Sequence, residues 1–318
     1  MRSSSCRCYI FSLGILIPFA VLIYALRLAL RSTDGQELSS SGPRATESLR
    51  FITVVSRHGN RGPVFNFSNS PYPVDDPKYW PYGMRRLTPE LESCPRFLEE
   101  REKYTQIFGE EYSTNVSSIV RYIYNQTGVN ITGINGFIEE WDMFICEDSE
   151  GYTLPDWTKT VYPEPMIYLA GKLYIAFFTA SDIMVRLLIG PFFGEMLQVL
   201  ESKVNGTLAP DRKMYFYSGH DTSLMSLQLV LGIPLAEITS IVKPGSAIIF
   251  ELHQDSQSKD YYTQVLYIDG SSPDLKPVLL DIPNCGSICS FNQFINITHK
   301  FANVTNYEQE CQLKNTIN

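Results

Sequence analysis

The stretch LRFITVVSRHGNRGP, from Leu49 to Pro63, decides the fold reading. Leu49–Val55 is a short run of β-branched and apolar residues, the pattern of a buried strand. Directly after it come Ser56-Arg57-His58-Gly59-Asn60-Arg61-Gly62-Pro63, in which two guanidiniums flank an imidazole. The same order recurs downstream: Met214–Tyr217 (MYFY) reads as a strand, and Ser218-Gly219-His220-Asp221-Thr222 follows it directly. Two strands that each end on a histidine, just where the chain turns toward a helix, put both imidazoles at one carboxyl edge. In an open α/β sheet that edge is where ligands bind.

The surrounding pattern agrees with such a sheet. Ala247–Leu252 (AIIFEL) and Tyr262–Ile268 (YTQVLYI) read as further strands. Residues 94–145 read as polar helical stretches broken at Gly and Asn, and residues 60–90, rich in Pro, Asn and Tyr, as loop. Residues 164–189 are apolar enough to suggest a membrane span. Lys172, Asp182 and Arg186 argue instead for a buried amphipathic helix, the last two at i,i+4 spacing. A break at Gly190-Pro191 is expected before a separate helix at Phe192–Val204. Strands and helices in this order predict an α/β domain with a more helical insertion.

The chain has 318 residues, 44% hydrophobic, 13% aromatic and 19% charged, which excludes a disordered or collagen-like protein. Its net charge is −8. Arg2, Arg7, Arg27 and Arg31 are the charged residues of the first 31, so the remainder is more acidic still and a poor match for nucleic acid. Residues 9–26 carry no charge and approach the length that crosses a bilayer. They are read as a signal anchor behind a cytosolic tail at 1–8, with a cleaved signal peptide as the other reading. Residues 27–48 form a linker and 49–318 the folded domain. Either reading delivers that domain to the secretory lumen, as a single-pass membrane protein or, if cleaved, as a secreted or lysosomal one. Sequons at Asn66, Asn115, Asn125, Asn130, Asn205, Asn296 and Asn303 fit that address. So does the absence of a paired C-x-x-C zinc pattern among Cys94, Cys146, Cys285, Cys289 and Cys311, which favours disulfides.

Chemically, the arginine fork suits phosphate oxygens, and a neutral imidazole beside it has a nitrogen free to attack phosphorus. The second motif adds another imidazole and a carboxylic acid able to protonate a leaving oxygen. The combination describes phosphoryl transfer through a phosphohistidine. No H-E-x-x-H, P-loop or dinucleotide fingerprint is present, and no metal or cofactor is expected. For His253 and His299 structural roles are expected.

At this point the chain resembles the histidine acid phosphatases, more closely those of the prostatic and lysosomal kind. Trp80-Pro81-Tyr82-Gly83, Leu87-Thr88, Cys94-Pro95-Arg96-Phe97 and the Cys285/Cys289 pair before Phe291 carry the likeness beyond the two motifs. The resemblance implies a phosphoglycerate-mutase-like sheet with helices on both faces and a mainly helical cap, roughly within 64–190. It implies hydrolysis of small phosphomonoesters at acid pH. His58 would be the nucleophile, Asp221 the proton donor, and Arg57, Arg61 and His220 the phosphate holders. Disulfides Cys94–Cys311 and Cys285–Cys289 are implied, with Cys146 left over. A homodimer is left open. One departure stands out: the segment in which the family carries a third phosphate-binding arginine has no counterpart between Thr88 and Cys94. That makes a catalytically impaired pseudophosphatase or membrane-tethered glycoprotein the alternative reading, and a weakened activity the expectation.

Overall fold

The computed structural model describes residues 48–58, 93–233 and 242–313. The tail, the apolar segment, nearly all of the linker, the expected loop at 60–90, Arg61 and Asn66 lie outside the described residues. The chain divides into two compact units. The first takes in residues up to Gly59, Ile189–Ile233 and Val242–Val304; the second comprises Asn60–Leu188, Pro234–Ile241 and the residues from Thr305.

The first unit is built on a mixed sheet. Strand β1 (Leu49–Arg57) pairs in parallel with β2 (Met214–Gly219) and antiparallel with β3 (Ala247–Gln254). Strand β4 (Tyr261–Ile268) continues antiparallel from β3, with two-residue strands β5 (Val278–Leu279) and β6 (Cys289–Ser290) on β4, giving the order β2-β1-β3-β4-β5. Phe51 to Ser56 of β1 and Ala247 to His253 of β3 are buried without alternation. Both faces of these central strands are therefore covered, which is why the sequence reads as continuous apolar runs. Ile52, Val54, Ala247, Ile249 and Ile268 form one apolar cluster, while Phe250 meets Phe193 and Phe294 at ring separations of 6.2 and 6.3 Å.

Each predicted strand is present and longer than expected, β1 running through Ser56 and Arg57. The helices require correction. Residues 94–145 are broken once, at residues 128–132: α1 (Pro95–Thr127) runs unbroken through Gly109, Asn115 and Asn125, begun by Pro95 at its first position and ended at Gly128, whose φ is 71°. Phe97, Phe108, Val116, Ile119 and Ile123 give it a buried stripe that overrides the polar residues between them. After it come α2 (Gly133–Ser149) and a 3₁₀ turn at Asp156–Thr160. The apolar region at 164–189 is two helices, α3 (Met166–Phe178) and the start of α4 (Asp182–Val204), separated at Thr179–Ser181.

Helix α4 then passes through Gly190-Pro191 without the expected break. Proline removes one internal hydrogen bond, but Ile189, Phe193, Met196, Leu197 and Leu200 are buried on this helix, and that burial outweighs the lost bond. Among the described residues α4 is the one helix long and apolar enough to cross a membrane, yet half of its most apolar window is buried and Phe193 packs in the sheet's core. It is a core helix, as its charges suggested.

The chain then forms α5 (Asp221–Val230), α6 (Phe291–Ala302) and α7 (Tyr307–Glu310). The Cys285–Cys289 disulfide precedes α6. In the second unit Phe137, Trp141, Phe144, Met166, Leu169 and Leu173 form a core between helices. There Cys94 is bonded to Cys311, and Arg186 grips Glu310 with two bonds of 2.6 Å. Cys146 is a buried thiol.

Candidate active site

The parallel ladder of β1 and β2 ends on the pair Arg57↔Gly219, and the His58 amide donates to the Gly219 carbonyl at 3.2 Å. The next residue on each strand is a histidine. Register alone therefore brings together two motifs 162 residues apart in the sequence: the His58 and His220 rings lie 5.2 Å apart, edge to face at 77°. His220 is the N-cap of α5, its amide donating to Ser223 Oγ at 3.3 Å. Asp221 opens the helix, where a negative charge is favoured by the exposed amides, and its Oδ1 accepts from the Thr222 amide at 2.8 Å.

Arg57 and Asp221 are joined across the strand ends. Arg57 Nη2 stands 2.9 Å from Asp221 Oδ2, and both side chains are nearly buried, at 11% and 14% exposure. Arg57 Nη1 donates to the Val242 carbonyl, while Nε is buried with no partner among the described residues. The loop Val242–Ser246 completes the edge: the Arg57 amide donates to the Ser246 carbonyl at 2.8 Å and the Gly245 amide to the His58 carbonyl at 3.4 Å. Sequence reasoning missed this loop. Its signal was the Pro244-Gly245 turn pair directly before a strand. Beside it, burial pushes the Tyr267 phenol up, with the Ser246 hydroxyl and Arg57 opposing that shift.

The structure thus brings Arg57, His58, His220 and Asp221 to one edge. It places His253 elsewhere, buried in β3 with its ring nitrogens against Ser48 Oγ (3.1 Å) and Glu251 Oε2 (3.0 Å), a core histidine with polar partners. His299 is on α6. Among the described residues there is no group of three or more side chains suited to hold a metal. Asn115, Asn125, Asn130, Asn205, Asn296 and Asn303 are all exposed.

Against known proteins, the family described as "Histidine phosphatase superfamily (branch 2)" matches residues 87–268. Human "Lysosomal acid phosphatase" is 22% identical over 370 positions, covering 88% of this chain and 84% of that protein. "Venom acid phosphatase Acph-1" of Apis mellifera is 23% identical, covering 82% and 65%, and bovine "Prostatic acid phosphatase" 23%, covering 86% and 90%. The 370 aligned positions of the human protein outnumber the 318 residues of this chain, so that relative carries internal residues lacking here. Among solved structures, Hafnia alvei phytase with myo-inositol hexakis sulphate superposes with a TM-score of 0.53 at 14% identity, over 84% of this chain and 98% of that one; the shared fold is what this likeness shows.

Proposed function

We propose that this chain, which belongs to the histidine phosphatase superfamily (branch 2), is an acid phosphatase that hydrolyses small phosphate monoesters through a phosphohistidine on His58. The observation that carries the reading is the register Arg57↔Gly219, which sets two imidazoles, a guanidinium and a carboxyl group on one strand edge.

In the first step an imidazole nitrogen of His58 attacks phosphorus and the ester P–O bond breaks. The leaving oxygen takes its proton from the Asp221 carboxylic acid. In the second step water attacks the phosphohistidine, its proton passing to the Asp221 carboxylate, and inorganic phosphate leaves. Arg57, Arg61 and His220 hold the equatorial oxygens, where positioned cations lower the barrier most. A carboxyl donor acts in its protonated form, which suits an acid working range. The chain is assigned to the secretory lumen or cell surface, anchored by residues 9–26 and glycosylated; the exposure of all six described sequon asparagines supports this.

The test is the leaving group. Asp221→Asn should lose far more rate on an alkyl phosphate than on a nitrophenyl phosphate, whose anion needs no proton. Equal losses on both would remove the proton-donor role.

A further inference from the structure

We infer that Lys243 is a further substrate-binding residue of this site, its ammonium taking a phosphate oxygen beside Arg57. The inference rests on the phosphatase reading and deepens it. Arg57 divides its guanidinium between Asp221 and the Val242 carbonyl, which leaves fewer of its donors for phosphate. A phosphate monoester brings up to two negative charges, and the described edge needs another cation to attract it.

Lys243 lies in the loop that completes that edge. It directly follows Val242, whose carbonyl accepts from Arg57 Nη1, and lies two residues before Gly245, whose amide donates to the His58 carbonyl. The loop is fixed rather than loose. The Ser246 amide closes a turn onto the Lys243 carbonyl at 3.1 Å, and Gly270 N donates to Ser246 Oγ at 2.9 Å. Gly270 packs so closely that a Cβ there would stand 2.0 Å from the Pro244 carbonyl oxygen. Pro244 also confines Lys243 to extended backbone, and Gly245 supplies the turn with φ 77°. Lys243 is partly buried and has no ion pair among the described residues. The nearby Asp269 is held in its own turn by the Ser271 amide and hydroxyl, both at 2.8 Å.

The experiment compares wild type, Lys243→Met, Lys243→Arg and the exposed-lysine control Lys276→Met. It reads competitive inhibition by inorganic phosphate, kcat/KM for phenyl phosphate and, by calorimetry, phosphate binding. Lys243→Met should weaken phosphate about fivefold, the upper end of what one solvent-accessible charge pair contributes. Lys243→Arg should restore most of that loss, and Lys276→Met should stay within about twofold of wild type. An active wild type with Lys243→Met equally sensitive to phosphate overturns the Lys243 assignment alone. A wild type that neither turns over phenyl phosphate nor binds phosphate overturns the phosphatase reading and Lys243 with it.

Discussion

Arg57 and Asp221, the last residue of β1 and the first of α5, form a nearly buried ion pair of 2.9 Å. A charge left alone in such a place is costly, because water solvates it poorly. Asp221→Ala should therefore destabilise the sheet unit by about 2–3 kcal/mol, somewhat less than for a pair sealed from solvent. Urea denaturation of the full chain reads the difference. A loss below about 0.5 kcal/mol would mean that the pair is screened by solvent and contributes to the site alone.

Glu140 on α2 predicts an acid-favoured fold. The residue is buried, its Oε2 has no partner among the described residues, and burial, helped by Glu139 and Glu147, pushes its carboxyl up to about 9 from 4.5. The folded state thus holds a proton that the unfolded chain releases. The stability this contributes is complete below about pH 4.5 and is lost as pH rises through about 9. Glu140→Gln keeps a neutral group at all pH values. It should raise Tm at pH 8 by roughly 3 °C or more and change it little at pH 4. An identical Tm difference at both pH values would contradict the buried, protonated carboxyl.

The strands and the two histidine motifs were legible because a buried strand and a strand-end motif are local patterns. β1 and β2 each announce themselves in a few residues, and parallel register does the rest. The part played by Val242 was not legible, since it offers Arg57 a backbone carbonyl, which every residue has. Nor was the continuity of α4 through Pro191. The local rule for proline predicted a break, and the burial of Phe193 against Phe250 and Phe294, contacts distant in sequence, overrode it.

That same helix carries a packing prediction. A Cβ on Gly194 would stand 2.6 Å from the Ala302 carbonyl oxygen, a backbone atom that cannot step aside cheaply. Gly194→Ala should cost about 1–3 kcal/mol despite adding a good helix former. A neutral or stabilising result in chemical denaturation would show that α4 and α6 separate without penalty.

The address has its own test. The full chain expressed in mammalian cells should stay in the membrane fraction through carbonate washing. It should lose mass on removal of N-glycans, and single Asn→Gln changes at the six described sequons should show which sites are used. A protein found in the medium, beginning after residue 26, would replace the anchor with a cleaved signal peptide.

The central claim is that His58 carries the phosphoryl group. A rapid quench of the full chain with a radiolabelled phosphomonoester measures it most directly. The account predicts a phosphoenzyme that is acid-labile and base-stable, formed before phosphate appears in solution and absent from His58→Ala. Turnover that survives in His58→Ala, or hydrolysis with no trapped phosphoenzyme at any time point, would contradict it.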